Sequence, residues 1–241
     1  MNYIVAELAP GVYAAAIKDA GNWDTPTYTN FYVLRRGQQV VLIDAGMKQY
    51  RNEIRAILKE IGVEANQVTQ VLLTHGHHDH ADGAKEFSQA LKYIHERDMN
   101  MLSSDLKSQF IKYTVVRDYV YSAPAVPDLD IVLVNSHSPG SVAIYDHASK
   151  ALFAGDFFCF FGEPLPEGKL VSYSEPSRQE SYQYVADQAA SGEAQSFLQG
   201  LSRLLSYRPE FFCTGHGVVL QGDISEFFKE LWKSGSAGKP L

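Results

Sequence analysis

Four short apolar runs in this chain each end in side chains able to bind a metal. Val68–Leu73 leads into T-H-G-H-H-D-H-A-D-G, Ile131–Asn135 into S-H-S-P-G-S, Ala151–Ala154 into G-D, and Glu210–Cys213 into T-G-H-G. Runs of this kind, bounded by Gly, Ser and Pro, read as buried strands. The polar residues past their ends then lie in loops on a rigid scaffold, where catalytic groups concentrate. The densest of these loops holds His75, His77, Asp79 and His80, four potential donors in six positions, with His78 among them.

Neutral imidazole and carboxylate are ligands of zinc and also suit iron or manganese. A solvated polar loop is the plainer reading of the cluster, but crowded imidazoles without a metal only suppress one another's protonation. Residues two apart in an extended segment point the same way, so His75 and His77 can grip one ion. Asp79 and His80 come after the chain turns and can face a second, which places the cluster on a loop between strand 68–73 and a helix over 81–91. Taken singly, His137, Asp156 and His216 are ordinary turn or capping residues. Joined to the cluster, they read as the remaining ligands.

Around these landmarks the chain alternates strand and helix signals. Apolar runs at 3–8, 11–17, 28–35 and 39–43 predict strands, the last two forming a hairpin across R-R-G-Q-Q. Residues 48–61 show helical spacing through Ile54, Ile57, Leu58 and Ile61, with Gly62 as the stop. The pattern over 96–120 reads as mainly helical, 157–207 as aromatic and then helical, and 223–233 as a closing helix. Strands followed by helix, twice over, suit two sheets with helices outside, and no linker-like shift in composition divides the chain. The expectation is one domain over 1–241, with 96–128 and 157–207 as insertions forming a substrate pocket or lid.

The formal charge of −7 and the absence of any Lys/Arg-rich run argue against a nucleic-acid partner, which needs a basic footprint. The N-terminal M-N-Y-I-V-A-E-L-A-P lacks the basic start and apolar stretch of a secretory signal. No apolar run is long enough to cross a bilayer. With Cys159 and Cys213 alone, a disulfide framework is not expected. These features predict a cytoplasmic protein acting on a small molecule without a membrane partner. They say nothing of oligomeric state.

His75-Gly76-His77-His78-Asp79-His80, followed in order by His137, Asp156 and His216, resembles the five-motif signature of the metallo-β-lactamase-fold superfamily. Asp44, in V-L-I-D-A-G, matches that family's early structural aspartate. The resemblance runs from about residue 28 to 220. It implies an α/β fold, a four-layer αββα sandwich of two mixed sheets with helices on the outer faces and metals at one edge. Carried over, it assigns His75, His77 and His137 to a first ion, Asp79, His80 and His216 to a second, and Asp156 to the bridge. It implies two divalent ions, zinc first, with iron or manganese as the other choices.

A pair of ions about 3.5–4 Å apart shares a hydroxide that attacks an ester, lactone, thioester or related small acyl substrate. Asp79 would then orient the hydroxide or carry a proton. Asp156 departs from the β-lactamases proper, which place Cys or Ser at this motif, and points to the glyoxalase-like, lactonase-like or phosphodiesterase-like branches. Flavin-coupled diiron members usually carry an acid in place of His77. The alternative is a mononuclear non-haem iron oxidoreductase resembling persulfide dioxygenases, which typically carry an Arg-containing stretch after the Asp that Phe157–Lys169 lacks. A metal-dependent phosphodiesterase or nuclease is the weaker alternative. Phe157 and Phe158, with Tyr173, Tyr182 and Tyr184 further on, are candidates for a substrate pocket, and Trp23 for a flap over it.

Overall fold

The computed structural model describes residues 2–19, 25–126, 128–162 and 165–236. Its first half supplies β1 (Tyr3–Ala9), β2 (Val12–Asp19), β3 (Thr27–Arg36), β4 (Gln39–Ile43), α1 (Arg51–Glu60), β5 (Gln70–Leu72), α2 (His78–Ala81), β6 (Leu91–Ile94), α3 (Ser104–Lys107) and β7 (Phe110–Lys112). These strands form a sheet in the order β1-β2-β3-β4-β5-β6-β7, antiparallel up to β4 and parallel after it.

The second half supplies β8 (Thr114–Arg117), β9 (Val120–Ser122), β10 (Leu129–Leu133), β11 (Val142–Asp146), β12 (Ala151–Gly155), β13 (Val171–Ser172), α4 (Glu175–Ala190), α5 (Gln195–Leu204), β14 (Phe211–Thr214), β15 (Val219–Gln221) and α6 (Ile224–Ser236). Its sheet runs β13-β15-β14-β12-β11-β10-β9-β8 and is mixed, with β12 parallel to β14 and β13 parallel to β15.

The period-two alternation of the strands builds the layers. In β4, Val41 and Ile43 face the second sheet, while Val40 and Leu42 face α1. In β11, Val142 and Ile144 point between the sheets, and Ala143 and Tyr145 point outward to the layer of α4, α5 and α6. Helix α1 buries Ile54, Ile57 and Leu58, one stripe of a 3.6-residue period, against the outer face of the first sheet. The result is the αββα sandwich. Removing a side chain from between the sheets, as in Ile43→Ala, costs about 2–5 kcal/mol.

Two expectations are corrected. The helix over 81–91 is instead α2 at His78–Ala81, a 3-10 turn at Asp82–Glu86 and then β6. Asp79 and His80 therefore sit on a helical turn and not on a loop. The mainly helical 96–120 holds only a 3-10 turn at Glu96–Asp98 and α3, and then three strands. Met99, Met101, Leu102, Leu106, Phe110 and Ile111 fit a helical spacing, but Phe110 and Ile111 lie on β7, and Tyr113, Val115, Val116 and Tyr119 are the β-branched and aromatic residues that suit sheet edges. Here β7 closes one sheet and β8 closes the other.

Candidate metal centre

The ligand candidates meet at one edge of the sandwich because strand order brings their loops together. His75 follows β5 in the first sheet. His137 follows β10, Asp156 follows β12 and His216 follows β14, all in the second. The parallel pairing of β12 with β14 aligns Gly155 with Thr214, which sets Asp156 beside His216 across 60 residues of sequence. The His216 loop is also stitched to the first sheet. The Asn30 amide donates to the Gly215 carbonyl at 2.8 Å, and the Asn30 side chain donates to the Thr214 and Gly217 carbonyls.

Two groups of possible ligands result, each with its donor atoms within 4.8 Å of one another. One holds His75, His77, His137 and Asp156, and the other holds Asp79, His80, Asp156 and His216. In the first, His137 Nε2 lies 2.8 Å from His77 Nδ1 and 3.4 Å from Asp156 Oδ2. In the second, His80 Nε2 is 3.2 Å from both Asp79 Oδ2 and Asp156 Oδ1, and His216 Nε2 is 3.2 Å from Asp79 Oδ2. All seven residues of the expected set belong to these groups. His78 is exposed and belongs to neither.

The partners of these rings direct the opposite nitrogens inward. His80 Nδ1 is 2.9 Å from Asp44 Oδ2, His216 Nδ1 is 3.2 Å from the Tyr28 carbonyl, and His75 Nδ1 is 3.1 Å from Thr74 Oγ1. A ring nitrogen that donates outward leaves the opposite one as a lone-pair donor. His75 Nε2, Asp79 Oδ2 and His80 Nε2 are buried and make no hydrogen bond. Buried polar atoms are normally satisfied, so these unpartnered atoms, one in the first group and two in the second, fit cations that would accept their lone pairs. Gly215 borders this space, since a Cβ there would overlap the Asp156 carboxylate and lie 2.8 Å from His80 Cε1.

The charges are strongly coupled. Burial would raise the Asp156 and Asp79 carboxyls, but the charge of His80 and the close approach of the His216 and His80 rings outweigh it and hold both well below the usual carboxylate range. Burial pushes His75 and His137 down. His80 is driven up against its burial by Asp156, Asp79 and Asp44, and His216 by the carboxylates of Asp156 and Asp79 that face it. Cys159, which reads blandly in sequence, places Sγ 3.4 Å from Asp156 Oδ1, and its burial raises the thiol.

A hollow of about 240 Å³ opens against His137 and Asp156, walled by Phe157, Phe158, Tyr184 and Phe197. A second, of about 520 Å³, lies beyond Phe158 and Tyr184 and reaches Cys159, Phe161 and Glu180. Phe161 stacks on the His216 ring at 5.1 Å. Tyr173 and Tyr182 line a different hollow, with Arg178 and Phe227 beside α6. Helix geometry separates the tyrosines: Tyr182 and Tyr184, two apart, point to different faces of α4. Phe197 was missed because it lies on α5, where its spacing reads as core. Trp23 lies outside the described residues.

The fold and this arrangement of histidines and aspartates define the class. A profile of the Metallo-beta-lactamase superfamily matches residues 24–216, and the chain belongs to that superfamily. It is 27% identical over 209 residues to a Bacillus subtilis protein named "Probable metallo-hydrolase YflN", covering 76% of each chain. In fold it is similar to a flavoprotein of Thermotoga maritima, with a TM-score of 0.74 at 18% identity, covering 95% of this chain and 60% of that one. A metal-soaked flavodiiron core of Synechocystis sp. gives a TM-score of 0.79 at 15% identity, covering 98% and 61%. The chain thus spans about three fifths of the length of those two structures. Among the described residues, no helix is long and apolar enough to cross a membrane.

Proposed function

We propose that this chain is a dinuclear metal-dependent hydrolase of small, uncharged acyl substrates such as esters, lactones or thioesters. The observation that carries the reading is Asp156, the one residue common to both ligand groups and so positioned to join two ions. The likeness to a protein named as a metallo-hydrolase, over three quarters of both chains, supports the same class.

Two divalent ions held there supply an activated water near neutral pH and an electrophile for the carbonyl oxygen. Asp79 is kept ionised by His80 and His216. With Oδ2 facing those histidines, its carboxylate would orient the attacking water or carry its proton to the leaving group. Phe157, Phe158 and Phe197 seat the acyl group and exclude water. Neither hollow is lined by Lys or Arg among the described residues, and each carries an exposed glutamate, Glu193 or Glu180. An anionic group of the substrate lying away from the ions would find no side-chain counter-charge there.

The test is metal quantification of the purified protein followed by a panel of lactones, thioesters, aryl esters and phosphodiesters. Two zinc ions per chain with turnover of an uncharged acyl substrate is the expected result. No turnover of any member with zinc, iron or manganese overturns the reading.

A second reading, a non-haem iron oxidoreductase, draws on the fold likeness to flavodiiron structures and on a donor set that iron also accepts. A histidine at 77, where flavin-coupled diiron members usually carry an acid, weighs against it. Iron in place of zinc, one or two per chain, with oxygen consumption in place of hydrolysis would select it.

A further inference from the structure

The donors His75, His77 and His137 are divided between two loops, one following β5 in the first sheet and one following β10 in the second. We propose that Asp98 is a positioning residue that fixes the spacing of these loops and so sets the metal affinity of that group. The proposal rests on the dinuclear reading above.

Asp98 ends the 3-10 turn Glu96–Asp98 that follows β6 and is fully buried. Its carboxylate accepts three hydrogen bonds, drawn from both loops. Oδ2 receives the Gly76 amide at 3.2 Å and the Ser138 hydroxyl at 2.5 Å, and Oδ1 receives the Gly140 amide at 2.7 Å. Gly76 stands between His75 and His77, and Ser138 directly follows His137. Asp98 touches no donor side chain and acts through the backbones that carry them.

The approach is close enough to demand glycine on both sides. A Cβ on Gly76 would lie 2.9 Å from the Asp98 carbonyl oxygen, and one on Gly140 would lie 2.7 Å from Asp98 Oδ1. A buried carboxylate must have its hydrogen bonds made. Here those bonds are made with the two loops at the spacing that brings His137 Nε2 to 2.8 Å from His77 Nδ1. Satisfying Asp98 and assembling the ligand group are thus one geometric condition. Partners behind the ligands of a metal change affinity by about 10–100-fold when removed.

The test is zinc binding by equilibrium dialysis with metal quantification, on the wild type and on Asp98→Asn, Ser138→Ala, Gly140→Ala and His137→Ala. Asp98→Asn keeps the shape but turns an amide group toward backbone donors. It should weaken one zinc equivalent by about 10–100-fold and leave the other within about twofold. Ser138→Ala and Gly140→Ala should weaken the same equivalent, and they decide the matter if Asp98→Asn fails to fold. In the His137→Ala background, Asp98→Asn should add nothing, because both act on one group. With cobalt in place of zinc, the absorption bands lost in Asp98→Asn should be those lost in His137→Ala.

Unchanged affinities overturn the proposal. So do two equivalents weakened equally, or further weakening by Asp98→Asn in the His137→Ala background. A wild type holding one ion sinks the dinuclear reading instead. Asp98 is then judged on that ion, supported if Asp98→Asn and His137→Ala weaken it alike and overturned if Asp98→Asn leaves it unchanged.

Discussion

Asp44 Oδ2 and His80 Nδ1 lie 2.9 Å apart, both residues buried, in a carboxylate–imidazole pair that links the first sheet to α2. Asp44 adopts a left-handed conformation with φ +59°, which aspartate tolerates better than most residues. The turn directs its side chain to the Thr74 amide and hydroxyl, each at 2.8 Å, as well as to His80. With Nδ1 donating to Asp44, His80 presents Nε2 to Asp79 and Asp156.

Replacing Asp44 with Ala should therefore act on both metal and fold. It leaves the buried Thr74 amide and His80 Nδ1 without their partner, a cost of about 1–3 kcal/mol for each unsatisfied group. Zinc affinity of the His80 group should fall about 10–100-fold. Urea unfolding and zinc dialysis on the same preparation check this, and a variant matching wild type in both contradicts the pairing.

Asp156→Ala should be more severe than His137→Ala. The first removes a donor from both groups and the second from one. Metal content should drop toward zero in Asp156→Ala and toward one ion in His137→Ala, with turnover following. Full turnover by a metal-free Asp156→Ala protein would refute the mechanism.

Metal binding should strengthen as pH rises. His80 and His216 hold their protons above the ordinary histidine value of about 6.5, and a metal must displace them. Asp79 and Asp156 are already ionised in that range, and His75 and His137 are already neutral. Zinc affinity should climb through neutral to mildly alkaline pH, with one to two protons released per chain; calorimetry in two buffers of different ionisation enthalpy counts them. The sign reverses for the metal-free fold. Because the two histidines are raised on folding, the stability they contribute is present in acid and lost as pH rises through their elevated values. A flat affinity profile, or tighter zinc binding in acid, would count against this.

Gly215→Ala tests the crowding behind the ligands. Its Cβ would press on the Asp156 carboxylate and on His80. Overpacking of this kind costs about 1–3 kcal/mol, here taken from the second ligand group, so thermal stability and metal content should fall together. Retention of both ions at wild-type affinity argues against the close packing.

Phe197→Ala should widen the smaller hollow and raise KM for bulky uncharged acyl substrates about tenfold, or 1.4 kcal/mol, with kcat little changed. Tyr173→Phe and Tyr182→Phe should change neither, because those residues line a separate hollow. An effect of Tyr182→Phe larger than that of Phe197→Ala would relocate the substrate site.

The donors were legible in the sequence because metal chemistry limits them to a few residue types, and four of them crowd into six positions at 75–80. The inter-sheet core was legible as well, since alternation in runs such as Val40–Ile43 is a local property of the chain. The short strands at 110–122 were not. An edge strand makes few contacts of its own, and its partners lie elsewhere in the chain.

What only the tertiary structure decided is how the donors are held relative to one another. The pairing of β12 with β14 aligns Asp156 with His216, and the stitching of Asn30 to the His216 loop joins the two sheets at that edge. Asp98, an unremarkable acid in sequence, becomes the point where two ligand loops meet. Such contacts span from 22 to 187 residues, and no local pattern encodes them. Residue type chose the chemistry of the site; long-range strand pairing chose its geometry.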